Sequence, residues 1–245
     1  MNDLLTTQPT GVANSGHPES PTNAGAGPDR PRRIRARRGE GERLREEILD
    51  AVELLLIRTG DAESVSIRAV GQLVGVTAPS IYRHFVDKDA MVHAACERGY
   101  ERFDQHLLEA AASATDPLSA IKARALAYLR FAMAHPGQYQ VLFMVKATHH
   151  DEHDALHAFD PQKSEFKALV HIADAVSEAI DSGVIVPIAD PMTMATMLWT
   201  SVHGIASLRI AMPDIPWPSV EDQVEVLFAM LANGMCAHPD GATRT

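Results

Sequence analysis

Apolar residues recur at helical spacing along most of this chain, and the breaks between runs carry helix stop and start chemistry. Residues 41–59 place Leu44, Ile48, Ala51 and Leu55 on one face, with Val52 and Leu56 flanking it, and Gly60 ends the run. Ser66 caps a short second helix, its hydroxyl accepting from an N–H that a helix start leaves unpaired. Ile67, Val70 and Val74 follow at helical spacing, with Leu73 beside Val74, and Gly75 supplies a left-handed turn. Thr77 caps the next helix, Pro79 lies in its first turn where no N–H is missed, and Ile81, Tyr82 and Phe85 follow. Two short helices joined by a Gly-containing turn form a helix-turn-helix. Gly71, inside the first of them, costs about 1 kcal/mol relative to Ala. Four residues before the turn glycine, it predicts that the second helix crosses closely over the first.

The pattern continues as helices. Asp87 caps a long one to about Ala112. Asp116-Pro117 starts another, carrying Ile121, Ala125, Tyr128, Leu129 and Met133 and ending at His135-Pro136. A short apolar stretch, Tyr139 to Val145, follows, and residues 147–162 read as a polar loop. Residues 163–182 form an amphipathic helix with Phe166, Val170, Ala173, Val176 and Ile180 on its apolar face, ended by Gly183. Asp190-Pro191 opens a helix to about Ala211, and Ser219 opens the last, to about Asn233, with Gly234 beyond. Ser219-x-x-Asp222 matches a capping box. No strand alternation or repeat is convincing, so the fold class is all-α.

Residues 1–39 lack this periodicity. They are rich in Pro, Gly, Ser, Thr and Asn, a composition that buries too little apolar surface to offset ordering entropy, and they read as a disordered extension. The run ends in six arginines between Arg30 and Arg38, which suit either a solvated basic tail or an arm reaching phosphates. The expected division is residues 40–86 as the helix-turn-helix domain, 87–236 as a helical regulatory and dimerisation domain, and 237–245 as a flexible tail. The net charge of −10 divides unevenly: residues 30–102 carry 14 Lys and Arg against 12 Asp and Glu, whereas residues 103–245 carry 8 against 17. The acidity therefore lies away from the helix-turn-helix, where local charge governs phosphate contact. Two distant cysteines, Cys96 and Cys236, argue for a reducing, cytoplasmic setting. No secretory signal or membrane-length apolar run is evident, and no membrane partner is expected.

The run T-A-P-S-I-Y-R-H-F-V-D-K-D-A-M, Thr77 to Met91, resembles the DNA-binding signature of TetR-family transcriptional regulators. The resemblance extends over roughly residues 41–236, and W-T-S-V-H-G (Trp199 to Gly204) is similar to a segment of one branch. It implies a three-helix head carrying the helix-turn-helix and a C-terminal helical domain for ligand binding and dimerisation. In a helix-turn-helix the second helix presents its N-terminal residues to base edges. Here these are Thr77, Ala78, Pro79 and Ser80, with Arg83 one turn on. Ala78 or Pro79 suits a thymine methyl, and Arg83 a guanine or a phosphate. Tyr82 and His84 suit phosphates, which set register without reading sequence. By resemblance, Thr77, Tyr82, His84 and Lys88 match family positions that contact the backbone. Ser66 and Arg68 complete the expected DNA-binding set, Arg68 as a backbone contact or a solvated residue, with Ile81 and Phe85 as core.

The resemblance further implies a homodimer formed through the last two helices, with Leu198, Trp199, Val202, Ile205, Leu227, Met230 and Leu231 as expected interface residues. It implies a small-molecule effector pocket in the middle region, for which Tyr128, Phe131, Tyr139, Phe143, Met144, Phe166 and His171 are the candidates. The expected function is a sequence-specific regulator, a repressor on an inverted-repeat operator in double-stranded DNA, released by an effector. No enzyme activity, cofactor or metal is expected. Two rival classes bear on that reading. His149, His153 and His157 share a face if helical and suit zinc or nickel, as in an all-α metallohydrolase, or are a solvated polar loop. A helical interaction module without DNA contacts is the other. Ser201 and His203 lie close in sequence but come with no oxyanion-hole motif.

Overall fold

The computed structural model describes residues 40–144 and 160–235. Among the described residues the chain runs through nine helices and no strand: α1 (Glu40–Thr59), α2 (Ile67–Val74), α3 (Ala78–Ile81), α4 (Lys88–Ala111), α5 (Pro117–Ala134), α6 (Pro136–Phe143), α7 (Ser164–Asp181), α8 (Pro191–Ala211) and α9 (Val220–Met235). The all-α class and most helix limits follow from the stop and start residues. Ser66 Oγ accepts from the Ala69 N–H at 3.1 Å and Asp87 Oδ1 from Ala90 at 2.7 Å. Asp116, Asp190 and Ser219 cap α5, α8 and α9 in the same way at 2.9–3.0 Å. Gly60, Gly75 and Gly183 take positive φ after α1, α2 and α7, a backbone state that favours glycine.

Four local expectations need correction. The apolar stretch after Pro136 is a full helix, α6, with the proline at its first position, where no N–H is missed. Thr77 occupies the N-cap of α3, but its hydroxyl makes no cap bond and lies 3.3 Å from Ser80 Oγ. Gly234 falls inside α9 rather than beyond it. Gly71 does mark a close approach, but chiefly to the turn: a Cβ there would lie 2.9 Å from the Val76 carbonyl oxygen and 3.6 Å from Ile81 Cδ1.

Three apolar clusters follow. The first joins Ile48 and Val52 of α1, Val70 of α2, Ile81 of α3, Phe85, and Met91 and Val92 of α4. The second joins Phe103 and Leu107, farther along α4, to Tyr128 and Leu129 of α5, Tyr139 of α6, Val202 and Ala206 of α8 and Val224 of α9. The third sets Ile172 and Val176 of α7 against Ala195 and Leu198 of α8. α4 thus contributes its first half to the head and its second half to the body.

Where the two halves meet, Arg98 reaches across to α1. Its guanidinium bonds Glu46 at 2.7 Å, Asp50 at 2.8 Å and Glu53 at 2.7 and 3.0 Å. These carboxylates recur at i, i+4 and i+7, one face of α1. The Arg98 side chain is only 12% exposed, as against 65% for Asp50. The Glu53 pair, shielded on both sides, is therefore the one least weakened by solvent.

Gly71→Ala tests the tight turn. Alanine gains about 1 kcal/mol in helix propensity, while forcing a Cβ against a backbone oxygen costs about 1–3 kcal/mol. The backbone carbonyl cannot swing away as a side chain would, so the steric cost prevails. Urea unfolding should show a net loss of up to roughly 2 kcal/mol, and a variant more stable than the parent would refute the close approach.

Candidate DNA interface and effector cavity

Ile81 and Phe85 are buried and anchor α3 and the turn after it to the head core. The Arg45 guanidinium of α1 lies 5.4 Å from the centroid of the Phe85 ring, a cation–π contact. With those two side chains turned inward, the opposite side of the segment faces solvent. Ser66, Arg68, Thr77, Ala78, Pro79, Tyr82 and Arg83 are exposed, while Ser80, His84 and Lys88 are half-buried. Arg83 Nη2 donates to Ser80 Oγ at 3.0 Å, so Arg83, Ser80 and Thr77 form one polar line along α3. Lys88 Nζ donates to Glu63 Oε2 at 2.9 Å, which holds its charge at the start of α4 beside the helix-turn-helix. Sequence reasoning passed over Val86, which is 81% exposed just past the segment. Its only sequence signal is an apolar residue next to a capping aspartate.

The candidate pocket residues separate into different places. Tyr128, Phe143 and Phe166 line a cavity of about 280 Å³ between α4, α5, α7 and α8. Tyr139 is buried beside it. Phe131 instead lines a second cavity, between α1, α4, α5 and α6. Met144 is exposed. His171 turns away to pair with the buried Asp104, Nδ1 to Oδ1 at 2.8 Å. Three residues that sequence reasoning missed, Tyr100, Phe103 and His203, complete the aromatic wall, together with Trp199. Tyr100, Phe103 and Leu107 stand at i, i+3 and i+7 on α4, a spacing that already pointed to a shared face.

The rings meet edge to face: Phe103 lies 5.2 Å from Tyr128 and 5.4 Å from Phe143, with interplanar angles of 84° and 75°, the arrangement aromatic quadrupoles prefer. At the base, the hydroxyls of Tyr128 and Tyr139 converge on His203 Nδ1 at 2.8 and 2.9 Å, and Tyr139 also lies 3.0 Å from Ser207 Oγ. Burial pushes the Tyr128 hydroxyl pKa upward and that of His203 downward, so both groups are neutral near pH 7. A neutral ring whose Nδ1 accepts carries its proton on Nε2, and that one lone pair takes only one of the two hydroxyls. When Tyr128 donates to Nδ1, Tyr139 is free to donate to Ser207 Oγ. Ser201 donates to the Met197 carbonyl at 2.8 Å, so Ser201 and His203 do not form a nucleophile–base pair.

The expected interface residues also divide. Leu198 and Val202 are buried in the chain's own clusters, and Trp199 faces the aromatic cavity. α8 is apolar nearly all round, so its periodicity could not say which face was which. The outward face carries Met197 and Leu208, and that of α9 carries Val226 and Met230, the methionines 63% and 70% exposed. Ile205, Leu227 and Leu231 are half-buried. The Arg30–Arg38 run, the His149–His157 run and Cys236 lie outside the described residues. Among the described residues, no helix is long and apolar enough to cross a membrane.

Residues 48–95 match the family of bacterial regulatory proteins named for tetR, and residues 121–234 match the tetracyclin repressor-like C-terminal domain. The chain belongs to the TetR family. It is a DNA-binding transcriptional regulator with a ligand-binding C-terminal domain. Solved structures share the fold of this TetR-family chain. A protein of unknown function from Rhodococcus sp. RHA1 is 25% identical, with 79% of this chain and 96% of that one covered and a TM-score of 0.63. A TetR family transcription regulator from Marinobacter aquaeolei VT8 is 13% identical, with coverages of 81% and 98% and a TM-score of 0.61. SmeT, in a complex with triclosan, is 20% identical, with coverages of 83% and 96% and a TM-score of 0.58. No curated protein matches the chain.

The His203 cluster makes a pH prediction. Its folded pKa lies below the ordinary value of 6.5, so as pH falls the unfolded chain takes up the proton first. Stability from this site is then full above about pH 6.5 and declines as the solution is acidified. His203→Gln, which keeps an acceptor for the tyrosines, should flatten the fall in Tm between about pH 7 and pH 5. Parallel Tm profiles for variant and parent would rule out a neutral, half-buried His203.

Proposed function

We propose that this TetR-family regulator is a homodimeric repressor. In this reading it binds an inverted-repeat operator and is released when an apolar small molecule fills the aromatic cavity between α4, α5, α7 and α8. The observation that carries it is the apolar face left open on α8 and α9 of a chain that has one helix-turn-helix. One head reads one half-site, and paired heads read half-sites about 34–36 Å apart. A two-fold pair requires a self-complementary patch. Met197, Ser201, Gly204 and Leu208 recur at i, i+4, i+7 and i+11 along α8, and nothing lies within 4 Å of where a Gly204 side chain would begin. Small residues between two larger apolar ones let a second copy approach closely. With Val226 and Met230 of α9 beside them, these residues replace Leu198, Trp199 and Val202 in the proposed interface, alongside Ile205, Leu227, Met230 and Leu231.

On the DNA side, the Tyr82 hydroxyl, His84 and Lys88 would fix register on phosphates, with Thr77, Ser66 and Arg68 beside them. Ala78, Pro79, Ser80 and Arg83 would meet base edges. Lys88 exchanges its Glu63 carboxylate for a phosphate on binding, and Arg83 leaves Ser80 to reach the groove. The aromatic cavity supports an apolar effector: among the described residues no Lys or Arg lines it, Glu165 is the one acidic side chain there, and its half-buried histidine is neutral. Triclosan in the SmeT complex supports a small-molecule ligand in this fold. Effector binding shifts the dimer only through its differential affinity for the two arrangements of the heads.

Selection of bound duplexes from a random pool tests the reading. The parent should recover one palindrome, and Tyr82→Ala should lose about tenfold in affinity on every sequence, the equivalent of ~1.4 kcal/mol. Arg83→Ala should change base preference instead. Equal binding by both variants would overturn the placement, and a folded dimer that recovers no sequence would favour an interaction module.

A further inference from the structure

The second cavity differs in chemistry from the aromatic one and lies where the head meets the body. Its floor is apolar, formed by Leu56 and Ile57 of α1, Phe131 of α5, and Val141 and Leu142 of α6, and its volume is about 370 Å³. α6 is pressed close on both sides. A Cβ at Gly137 would come within 2.7 Å of Ile57 Cγ2, and one at Gly99 within 2.9 Å of Leu142 Cδ2. The cavity is therefore framed by short helix-to-helix contacts and is more than a shallow surface dip.

The rim is cationic. Arg102 of α4 and Arg130 of α5 line it, with the imidazoles of His106 and His135. The two imidazoles lie 6.3 and 5.4 Å from the Phe131 ring, centroid to centroid, so apolar floor and polar rim meet at that side chain. Glu53 is the one carboxylate in the lining, and Arg98 already bonds it at 2.7 and 3.0 Å. The Arg102 contact to Glu53 is long, 3.5 Å, and leaves most of that guanidinium's donors uncommitted. Arg130, by contrast, bonds Glu221 of α9 through Nε at 3.1 Å and Nη2 at 2.8 Å, so a ligand carboxylate would meet its Nη1 or displace Glu221. The Cys96 thiol in the wall is pushed up to about 11, first by burial and then by Glu53, so it stays neutral and adds no negative charge.

We propose that this junction cavity is a second ligand site, for an amphipathic organic anion: an apolar body against Phe131 and Leu142 and a carboxylate held by Arg102 and Arg130. Guanidinium groups match carboxylates bidentately. Both arginine side chains are more than half exposed, so solvent screens that attraction and the apolar floor must supply the rest of the affinity. The site differs in chemistry from the aromatic cavity, which among the described residues is lined by no Lys or Arg, although Leu142 borders both. It is also in contact with α1 of the head through Glu53, Leu56 and Ile57.

The test is calorimetric titration of the full chain with decanoate below micelle formation, beside decyltrimethylammonium as a matched cation. Decanoate should bind the parent at one site, and Arg102→Gln combined with Arg130→Gln should weaken it at least tenfold. Ala134→Trp, at the exposed edge of the junction cavity, should abolish the decanoate site, whereas Ala168→Trp, which fills the aromatic cavity, should leave it intact. Arg102→Gln alone gives a second, milder variant if the double substitution does not fold, with a loss of several-fold expected. Decanoate binding that survives loss of both arginines, that disappears in Ala168→Trp instead, or that the cation reproduces in an Ala134→Trp-sensitive manner would overturn the proposal. So would the absence of any decanoate binding to the parent.

Discussion

One helix must serve two cores. α4 has 24 residues, so at about 1.5 Å per residue it spans roughly 36 Å. Met91, Val92 and Ala95 close the head core, and Phe103 and Leu107 close the body core. A helix packed at both ends transmits a tilt rather than absorbing it, because packed interiors deform in discrete steps. Arg98 stands between the two cores and ties α4 to Glu46, Asp50 and Glu53 of α1. Most of that cluster's value is orientational. A guanidinium shared among three carboxylates fixes the angle at which α1 crosses α4, and the helix-turn-helix is carried on α1.

The neighbouring α6 acts on the same joint from the other side. Val141 belongs to the head cluster, and Tyr139 and Leu142, from the same two turns, belong to the body cluster. The glycines at positions 99 and 137 let α6 sit against α4 and α1 at distances a side chain would forbid. The head is thus seated on two helices, α4 and α6, that also line the cavities. This is what makes occupancy of a cavity relevant to the spacing of two heads in a dimer.

How much of this was legible in the sequence depended on whether a residue's role was local. Caps at Ser66, Asp87, Asp116, Asp190 and Ser219 act within one turn, and the chain text alone located them. Gly71 was legible as a close approach but not as an approach to the Val76 carbonyl, because the partner depends on the path of the turn. In sequence α6 is only a short apolar stretch, Tyr139 to Val145, because His135-Pro136 reads as the end of the preceding helix, although proline is equally at home at a helix's first position. Sites assembled from distant helices were the least legible. His171 pairs with Asp104 instead of facing the aromatic cavity, and Phe131 lines the other cavity. In sequence His203 pairs only with nearby Ser201, because its tyrosine partners lie 64 and 75 residues away. On α8, where nearly every position is apolar, side chains could be assigned to interior or exterior only by seeing what covered them.

The two cavities differ in charge for a reason the fold supplies. The aromatic one is enclosed by helix faces that meet in the body core, where an unpaired Lys or Arg would be costly to bury, and its half-buried histidine remains neutral. The junction cavity opens at the edge of α4 and α5, where long side chains can lay their stems along apolar surface and keep their charges near solvent. Arg102 and Arg130 do this; Arg98 has already engaged Glu53, and Arg130 holds Glu221 of α9 at 2.8 Å. An acidic chain, net −10, that keeps a cationic rim beside an apolar floor at its central joint concentrates local attraction for anions there. Long-range attraction follows local potential more than net charge. The same principle lets the helix-turn-helix face approach phosphates on a protein whose acidic residues are concentrated elsewhere.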